Sequence, residues 1–306
     1  MLAGSCATRI LVTGGQGLLG GAVARRLAEA GMEVVATHRG GSGAGRGIEW
    51  YRADLLRPDA LDGLEPTDAV VHTAAMLPRS HEASDAEADA NRRIDEAIFE
   101  VAQRWAASVV FTSSVAVYGS TVPPAGGLSE GEASRPLGAY AAEKVWAEER
   151  GRELAAAGGS LFTSLRVSAP YGPEQHPMTV LRRFVERASR GEALLYWGSG
   201  ARHQDFIHAD DVAGACQAAL EHQGGGTFNV ASGETVTMRE LAEIVAQAAR
   251  LPASAVQAAG TPDPGEGTPV AYNITRSREV LGWEPRISLP DGVSSWLARL
   301  RKAAPQ

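Results

Sequence analysis

The feature that most constrains this chain lies near its start. Arg9 to Thr13 (RILVT) is a short β-rich apolar run. It passes directly into Gly14, Gly17 and Gly20, a G-x-x-G-x-x-G spacing that opens a helical stretch from Leu18 to Ala30. Glycines between a strand and a helix permit a tight turn and let the backbone approach an anion closely. The helix N-terminus turns free N–H groups and the positive end of its dipole toward that anion. In a chain with 35 glycines the spacing alone is weak. Its place between strand and helix makes it a candidate pyrophosphate cradle for a dinucleotide.

The same alternation continues. Glu33 to Thr37, Ile48 to Arg52, Ala69 to Thr73, Val109 to Ser113 and Leu161 to Val167 read as strands. Asp85 to Ala106 and Ala139 to Ala157 read as helices. Strands alternating with helices predict an α/β chain, a doubly wound parallel sheet with helices on both faces. After Val167 the rhythm changes. Pro170, Pro173 and Pro177 crowd together, then come a helix over Val180–Arg190, a strand near Phe206, a helix from Asp210, a strand near Phe228, a helix over Met238–Arg250 and a loop over Ala258–Pro269. This predicts a dinucleotide-binding domain over 1–168 with segments returning to it near 205–232. A smaller C-terminal substrate-binding region would take 169–204 and 233–306.

The residues just after the second strand bear on the cofactor. A carboxylate there would bind ribose hydroxyls and repel a 2′-phosphate. The chain has His38 and Arg39 instead, and an arginine pairs with phosphate, so NADP(H) is favoured over NAD(H). Arg39 as a mere solvated strand end is the competing reading. Asp54 is open to two readings, a partner for the adenine amino group or a helix N-cap.

Tyr140 and Lys144 are four residues apart in a helical stretch and so share one face. A free phenol has a pKa near 10 and is a poor base at neutral pH; a neighbouring ammonium favours its ionised form. Of the 29 basic residues only Lys144 and Lys302 are lysine, and with six tyrosines in 306 positions such a pair arises by chance about four times in a hundred. Ser114, at a strand end, is placed to hydrogen-bond a substrate oxygen. Together these three suit proton transfer at an alcohol oxygen coupled to hydride transfer.

Composition narrows the alternatives. Hydrophobic residues are 44% and charged residues 21%, as in a globular protein with a core. A net charge of -7 without a basic stretch argues against nucleic acid. No apolar run approaches the ~20 residues that span a bilayer, so no membrane role is expected. Cys6 and Cys216 alone support neither a disulfide framework nor a metal site. The first nine residues lack the pattern of a secretory leader, and the expected location is cytoplasmic.

The sequence resembles the extended short-chain dehydrogenase/reductase family, also called the NAD-dependent epimerase/dehydratase family, over nearly its whole length. The marks are Thr13-Gly14-Gly15-Gln16-Gly17-Leu18-Leu19-Gly20, Asp54-Leu55, His72-Thr73-Ala74-Ala75, Asn91, Ser113-Ser114 through Val117-Tyr118-Gly119, Tyr140 with Lys144, Tyr171-Gly172-Pro173, Asp205-Phe206-Ile207-His208 and Leu281-Gly282-Trp283 with Pro285. The resemblance implies a Rossmann-type doubly wound parallel sheet and a catalytic set of Ser114, Tyr140 and Lys144. It implies cofactor contacts from Gly14, Gly17, Leu18, Leu19, His38, Arg39, Asp54, Leu55, Ala74, Ala75, Ser113, Tyr140 and Lys144. It also implies a small-molecule, sugar-like substrate, commonly a nucleotide sugar, and a homodimer formed through the two long helices.

The chain also departs from its relatives. Dehydratases and decarboxylases of this kind carry acids just after the catalytic hydroxyl, where Val115 and Ala116 stand here; oxidation, reduction or epimerisation remains. Epimerases typically have an acid after the second strand, so His38-Arg39 tilts the reading toward a reductase or dehydrogenase. Three usual diphosphate partners are replaced by Ala169, Gln204 and Asp263, with Arg202, Arg182 and Arg183 as substitutes. This points to a substrate that lacks the nucleoside diphosphate or binds it in a changed way. Met76, Ser114, Ala169, His176 and Arg202 are the candidate substrate contacts. His72, His208 and Trp283 read as structural residues. A non-catalytic dinucleotide sensor is the rival class, and retention of Ser114, Tyr140 and Lys144 argues against it.

Overall fold

The computed structural model describes residues 8–41, 43, 45–76, 85–175, 179–222 and 224–303. Its first part alternates β1 (Arg9–Thr13), α1 (Leu18–Glu29), β2 (Glu33–His38), β3 (Ile48–Arg52), β4 (Ala69–His72), α2 (Asp85–Trp105), β5 (Ser108–Ser114), α3 (Ala139–Gly158) and β6 (Phe162–Val167). After these come β7 (Ala169–Tyr171), α4 (Val180–Ser189), β8 (Leu194–Tyr196), β9 (His203–His208), α5 (Ala209–Glu221), β10 (Gly226–Val230), β11 (Thr235–Thr237), α6 (Met238–Ala249), β12 (Val256–Ala258), α7 (Thr275–Leu281) and α8 (Leu289–Ala303).

Seven strands form one sheet in the order β10-β6-β5-β4-β1-β2-β3, and every pairing in it is parallel. This is the doubly wound arrangement expected from the alternation. The order reverses between β1 and β4, and at such a switch point the crevice beyond the strand ends accepts a ligand.

The two faces bury alternate residues of each strand. Ile10 and Val12, Val34 and Ala36, and Leu165 and Val167 pack with Val23 and Leu27 of α1 and Val212 and Cys216 of α5. Leu11, Val35, Val70, Val109 and Phe111 face the other way, onto Ile94, Ile98 and Phe99 of α2 and Ala147 and Ala155 of α3. Side chains of a strand alternate between faces, so each strand serves both layers.

A third core joins Tyr171, Leu181, Phe184, Leu194, Met238, Leu241, Val245, Val293, Trp296 and Leu297, which come from α4, α6, α8 and short strands. The small sheet β11-β9-β7 borders this core. Among the described residues no helix is long and apolar enough to cross a membrane.

Candidate active site

The glycine turn is held from both sides. Gly14 N donates to Thr37 Oγ1 at 3.0 Å, and Gly15 N to Thr37 O at 2.9 Å. Gly14 has φ +71, a region that favours glycine. A Cβ on Gly20 would lie 2.2 Å from Gly14 O, so α1 sits closer to the loop than a side chain allows. Gly17 caps α1 without any side-chain hydrogen bond. The first-turn N–H groups are therefore left to the backbone and to whatever occupies the turn. That cradle fits the pyrophosphate of a dinucleotide.

Thr13 organises the next strand end. Its Oγ1 accepts from Thr73 N and Ala74 N, both at 3.1 Å, and contacts His72 Nδ1 at 2.7 Å. Asn91 of α2 receives Met76 N at 2.7 Å and donates to Met76 O at 3.1 Å, which pins the segment containing Ala74, Ala75 and Met76. On the far side of β1, His38 ends β2 and the exposed Arg39 follows it. Asp54 Oδ1 accepts from Leu56 N at 3.3 Å and so closes its own turn, while Leu55 behind it is buried. Leu18 and Leu19 lean on the core beside α1.

Ser114, Tyr140 and Lys144 meet beyond β5. Ser114 Oγ accepts from Ala116 N at 3.1 Å. Tyr140 is half-buried in the first turn of α3, and Lys144 Nζ lies 5.9 Å from its ring centroid and 4.6 Å from that of Phe111. Burial pushes the Tyr140 phenol up, Lys144 pulls it down, Glu143 pushes it up, Ser114 pulls it down and Asp95 pushes it up; the net shift is upward. The ammonium thus acts in the expected sense and is outweighed, because the phenol is desolvated and two acids stand beside the lysine.

Those acids carried no role in the sequence reading. Asp95 Oδ2 lies 3.8 Å from Lys144 Nζ, and Glu143 Oε2 lies 3.5 Å from it. His72 Nε2 meets Asp95 Oδ1 at 2.9 Å. Both acids stand on helical stripes of buried residues: Asn91, Asp95, Ile98 and Ala102 on α2, and Glu143, Ala147, Gly151 and Ala155 on α3. An acid on a buried stripe was the signal available to find them. Burial works against the Lys144 ammonium, but Asp95, then Glu143 and Tyr140, outweigh it and hold its pKa above the usual lysine value.

The other residues singled out in the sequence have these partners. The Ser113 hydroxyl donates to Glu148 Oε1 at 2.6 Å, and Arg166 grips the same carboxylate at 3.0 and 2.8 Å. His208 caps α5, its Nδ1 accepting from Asp210 N at 3.2 Å, and Trp283 is buried with Nε1 donating to Asp211 O at 3.0 Å. Ala169 opens β7 and pairs with Phe206 of β9. Arg202 precedes β9 and donates from Nε to Asp263 Oδ2 at 2.9 Å, while Arg182 pairs with Glu186. His176 lies outside the described residues.

Residues 10–231 match the NAD dependent epimerase/dehydratase family. The chain is 32% identical to a UDP-glucose 4-epimerase of Mycolicibacterium smegmatis, over 94% of this chain and 96% of that protein. It is 28% identical to a probable GDP-L-fucose synthase 1 of Oryza sativa subsp. japonica, over 93% and 89%. Among solved structures, the UDP-glucose 4-epimerase of Thermotoga maritima with UDP-glucose superposes with a TM-score of 0.88 at 27% identity, covering 97% of this chain and 99% of that one. Fold and relatives agree with the resemblance read from the sequence, and the protein is an enzyme, a member of the NAD dependent epimerase/dehydratase family.

Proposed function

We propose that this enzyme reduces a ketone or oxidises a secondary alcohol on a sugar-like small molecule, with Tyr140 as the acid/base. The observation that carries the reading is the meeting of Ser114, Tyr140 and Lys144 at the end of β5, in the same sheet as the β1 strand that leads into the glycine turn. Hydride exchange is the chemistry that a nicotinamide dinucleotide supplies when bound. Tyr140 takes the proton from the alcohol oxygen or returns it, Ser114 orients that oxygen, and Lys144 stabilises the phenolate. Gly14, Gly17 and the start of α1 would hold the pyrophosphate. Arg39, exposed where an acid would repel a 2′-phosphate, supports NADP(H) over NAD(H).

The region over 169–204 and 233–306 is the proposed substrate side. There Arg202 is neutralised by Asp263, which supports a substrate without the usual nucleoside diphosphate. The dimer proposed through α2 and α3 is checked by light scattering.

The test is calorimetric titration with NAD(H) and NADP(H), on protein first examined by mass spectrometry for retained cofactor. Exchangeable binding with NADP(H) preferred is expected, and Arg39→Asp should reverse the preference. Once a substrate is found, Tyr140→Phe should abolish turnover while leaving cofactor affinity nearly unchanged. A second reading, a 4-epimerase with retained NAD, is favoured by the 32% identity to a UDP-glucose 4-epimerase. Tightly retained NAD together with firm UDP binding would select it.

A further inference from the structure

The seam between α2 and α3 buries more acid than base. Asp95 and Glu143 are wholly shielded from solvent, and Lys144 nearly so. Asp95 Oδ2 and both Glu143 oxygens have no hydrogen-bond partner among the described residues. Buried polar atoms without partners are rare in folded proteins and require an explanation.

The contacts fix the protonation states. Thr13 Oγ1 already accepts two backbone N–H groups, so its single proton points to His72 Nδ1. His72 then accepts at Nδ1 and donates from Nε2 to Asp95 Oδ1, as a neutral imidazole. Two ionised carboxyls, one ammonium and a neutral histidine would leave a buried net charge of minus one, which is costly without further partners. A proton on one acid removes that charge and supplies a donor where three oxygens lack one.

We propose that Asp95 and Glu143 are positioning residues that hold Lys144 with one proton between them, Glu143 carrying it, and so set the charge under which Tyr140 gains and releases its own proton. The inference rests on reading Tyr140 and Lys144 as the acid/base pair.

The contacts assign the proton to Glu143. Burial acts upward on Asp95, but the Lys144 ammonium and the His72 hydrogen bond outweigh it and bring it down to about 2. Glu143 lacks the histidine, and burial together with its acidic neighbour raises it to about 9.

The groups that face Tyr140 are Lys144 and Glu143 from α3, Asp95 from α2 and Ser114 from β5. His72 of β4 is linked to them through its hydrogen bond to Asp95. The nearby acids Glu148 and Glu96 are occupied by Arg166 and Arg150. With Glu143 neutral, the lysine charge is balanced by Asp95 alone. Ionising Glu143 adds a negative charge and makes the phenolate harder to form. The polar chain Thr13–His72–Asp95–Lys144 also ties this balance to the strand end that holds the glycine turn.

The test needs neither substrate nor cofactor. Infrared difference spectra of the full chain against Glu143→Gln should contain, at pH 7, the C=O stretch of a protonated carboxylic acid that the variant lacks, fading with a midpoint near pH 9. In Asp95→Asn that band should vanish at pH 7, because Glu143 becomes the counter-ion of Lys144. Ultraviolet titration of the Tyr140 phenol, taken as the difference from Tyr140→Phe, should shift to lower pH in Glu143→Gln, where no second anion arises. A spectrum without the acid band at pH 7, or an unmoved Tyr140 titration, overturns the proposal. If Asp95→Asn does not fold, the Glu143→Gln spectra and titration still decide. Full turnover by Tyr140→Phe would defeat the functional reading while leaving the infrared result standing.

Discussion

Lys144 and Arg202 are both cations held by acids, one between α2 and α3 and the other just before β9, and they live in different solvents. The Lys144 side chain is 2% exposed and its partners Asp95 and Glu143 not at all. Arg202 is 33% exposed against an Asp263 that is 5% exposed. In the dry group water cannot compensate a surplus charge, so a proton must, and the group behaves as one titrating unit. In the wetter pair solvent reaches the arginine and screens the interaction from that side, and the chief effect is to cancel a positive charge on the surface. The contrast supports the two proposed roles, proton chemistry for the first group and substrate selection for the second.

The largest expected effect comes from breaking the dry group. Lys144→Met leaves two buried acids without their cation and should destabilise the fold by about 3–5 kcal/mol in denaturant unfolding. Arg202→Ala should cost less than about 1 kcal/mol, as partly solvated pairs do. Equal costs for the two variants would remove the distinction between them.

The next effect is a dependence on pH that only the dry group should show. Glu143 is held up to about 9 against an ordinary 4.5. Between those values the folded chain keeps a proton that the unfolded chain has released, so stability falls as pH rises. The unfolding constant should grow by a factor approaching 10 per pH unit, levelling above about pH 9. Asp95, held down to about 2 against 3.8, works at the other end, and its contribution is lost as pH falls below about 4. The fall toward alkaline pH should disappear in Glu143→Gln; a fall of the same slope in that variant would place the proton elsewhere.

The two regions also differ in how legible they are in the sequence. β1 and β3 have the bounds that their apolar runs predict, and α1, α2 and α3 end within one residue of expectation, because long periodic segments write their burial into the sequence. The later part is less completely legible. β7, β8, β11 and β12 have three residues each, too few to show a period, and α7 has seven. α8 begins at Leu289-Pro290, where proline suits a first helical turn but reads as a break. Tyr140 and Lys144 are reached from their spacing. Asp95 and Glu143 are marked in the sequence by nothing more than their place on apolar helical stripes, a weak signal because a charge in a helix is ordinarily solvated, and the packing of α2 on α3 is what encloses them. The Arg202–Asp263 pair spans 61 positions, and no local pattern encodes a contact of that separation.

The smallest expected effect is the one that most sharpens the comparison. Asp263 Oδ2 receives Arg202 Nε at 2.9 Å and its Oδ1 receives Gly265 N at 2.9 Å, so the carboxylate both neutralises the arginine and shapes its own loop. Asp263→Asn keeps an acceptor for Gly265 and removes the charge. If Arg202 is otherwise able to meet a diphosphate, the variant should bind UDP several-fold more tightly by calorimetry, a gain of about 1 kcal/mol for a partly exposed pair. The gain should shrink as salt is raised, because solvent-exposed charges are screened within about 10 Å at 0.1 M. Neither the stability difference nor its pH dependence should change, since Asp263 has no part in the buried group. Firm UDP binding by the wild-type chain, unaltered in Asp263→Asn, would mean that the pair does not guard the substrate side, and the case for a substrate without a nucleoside diphosphate would fall with it.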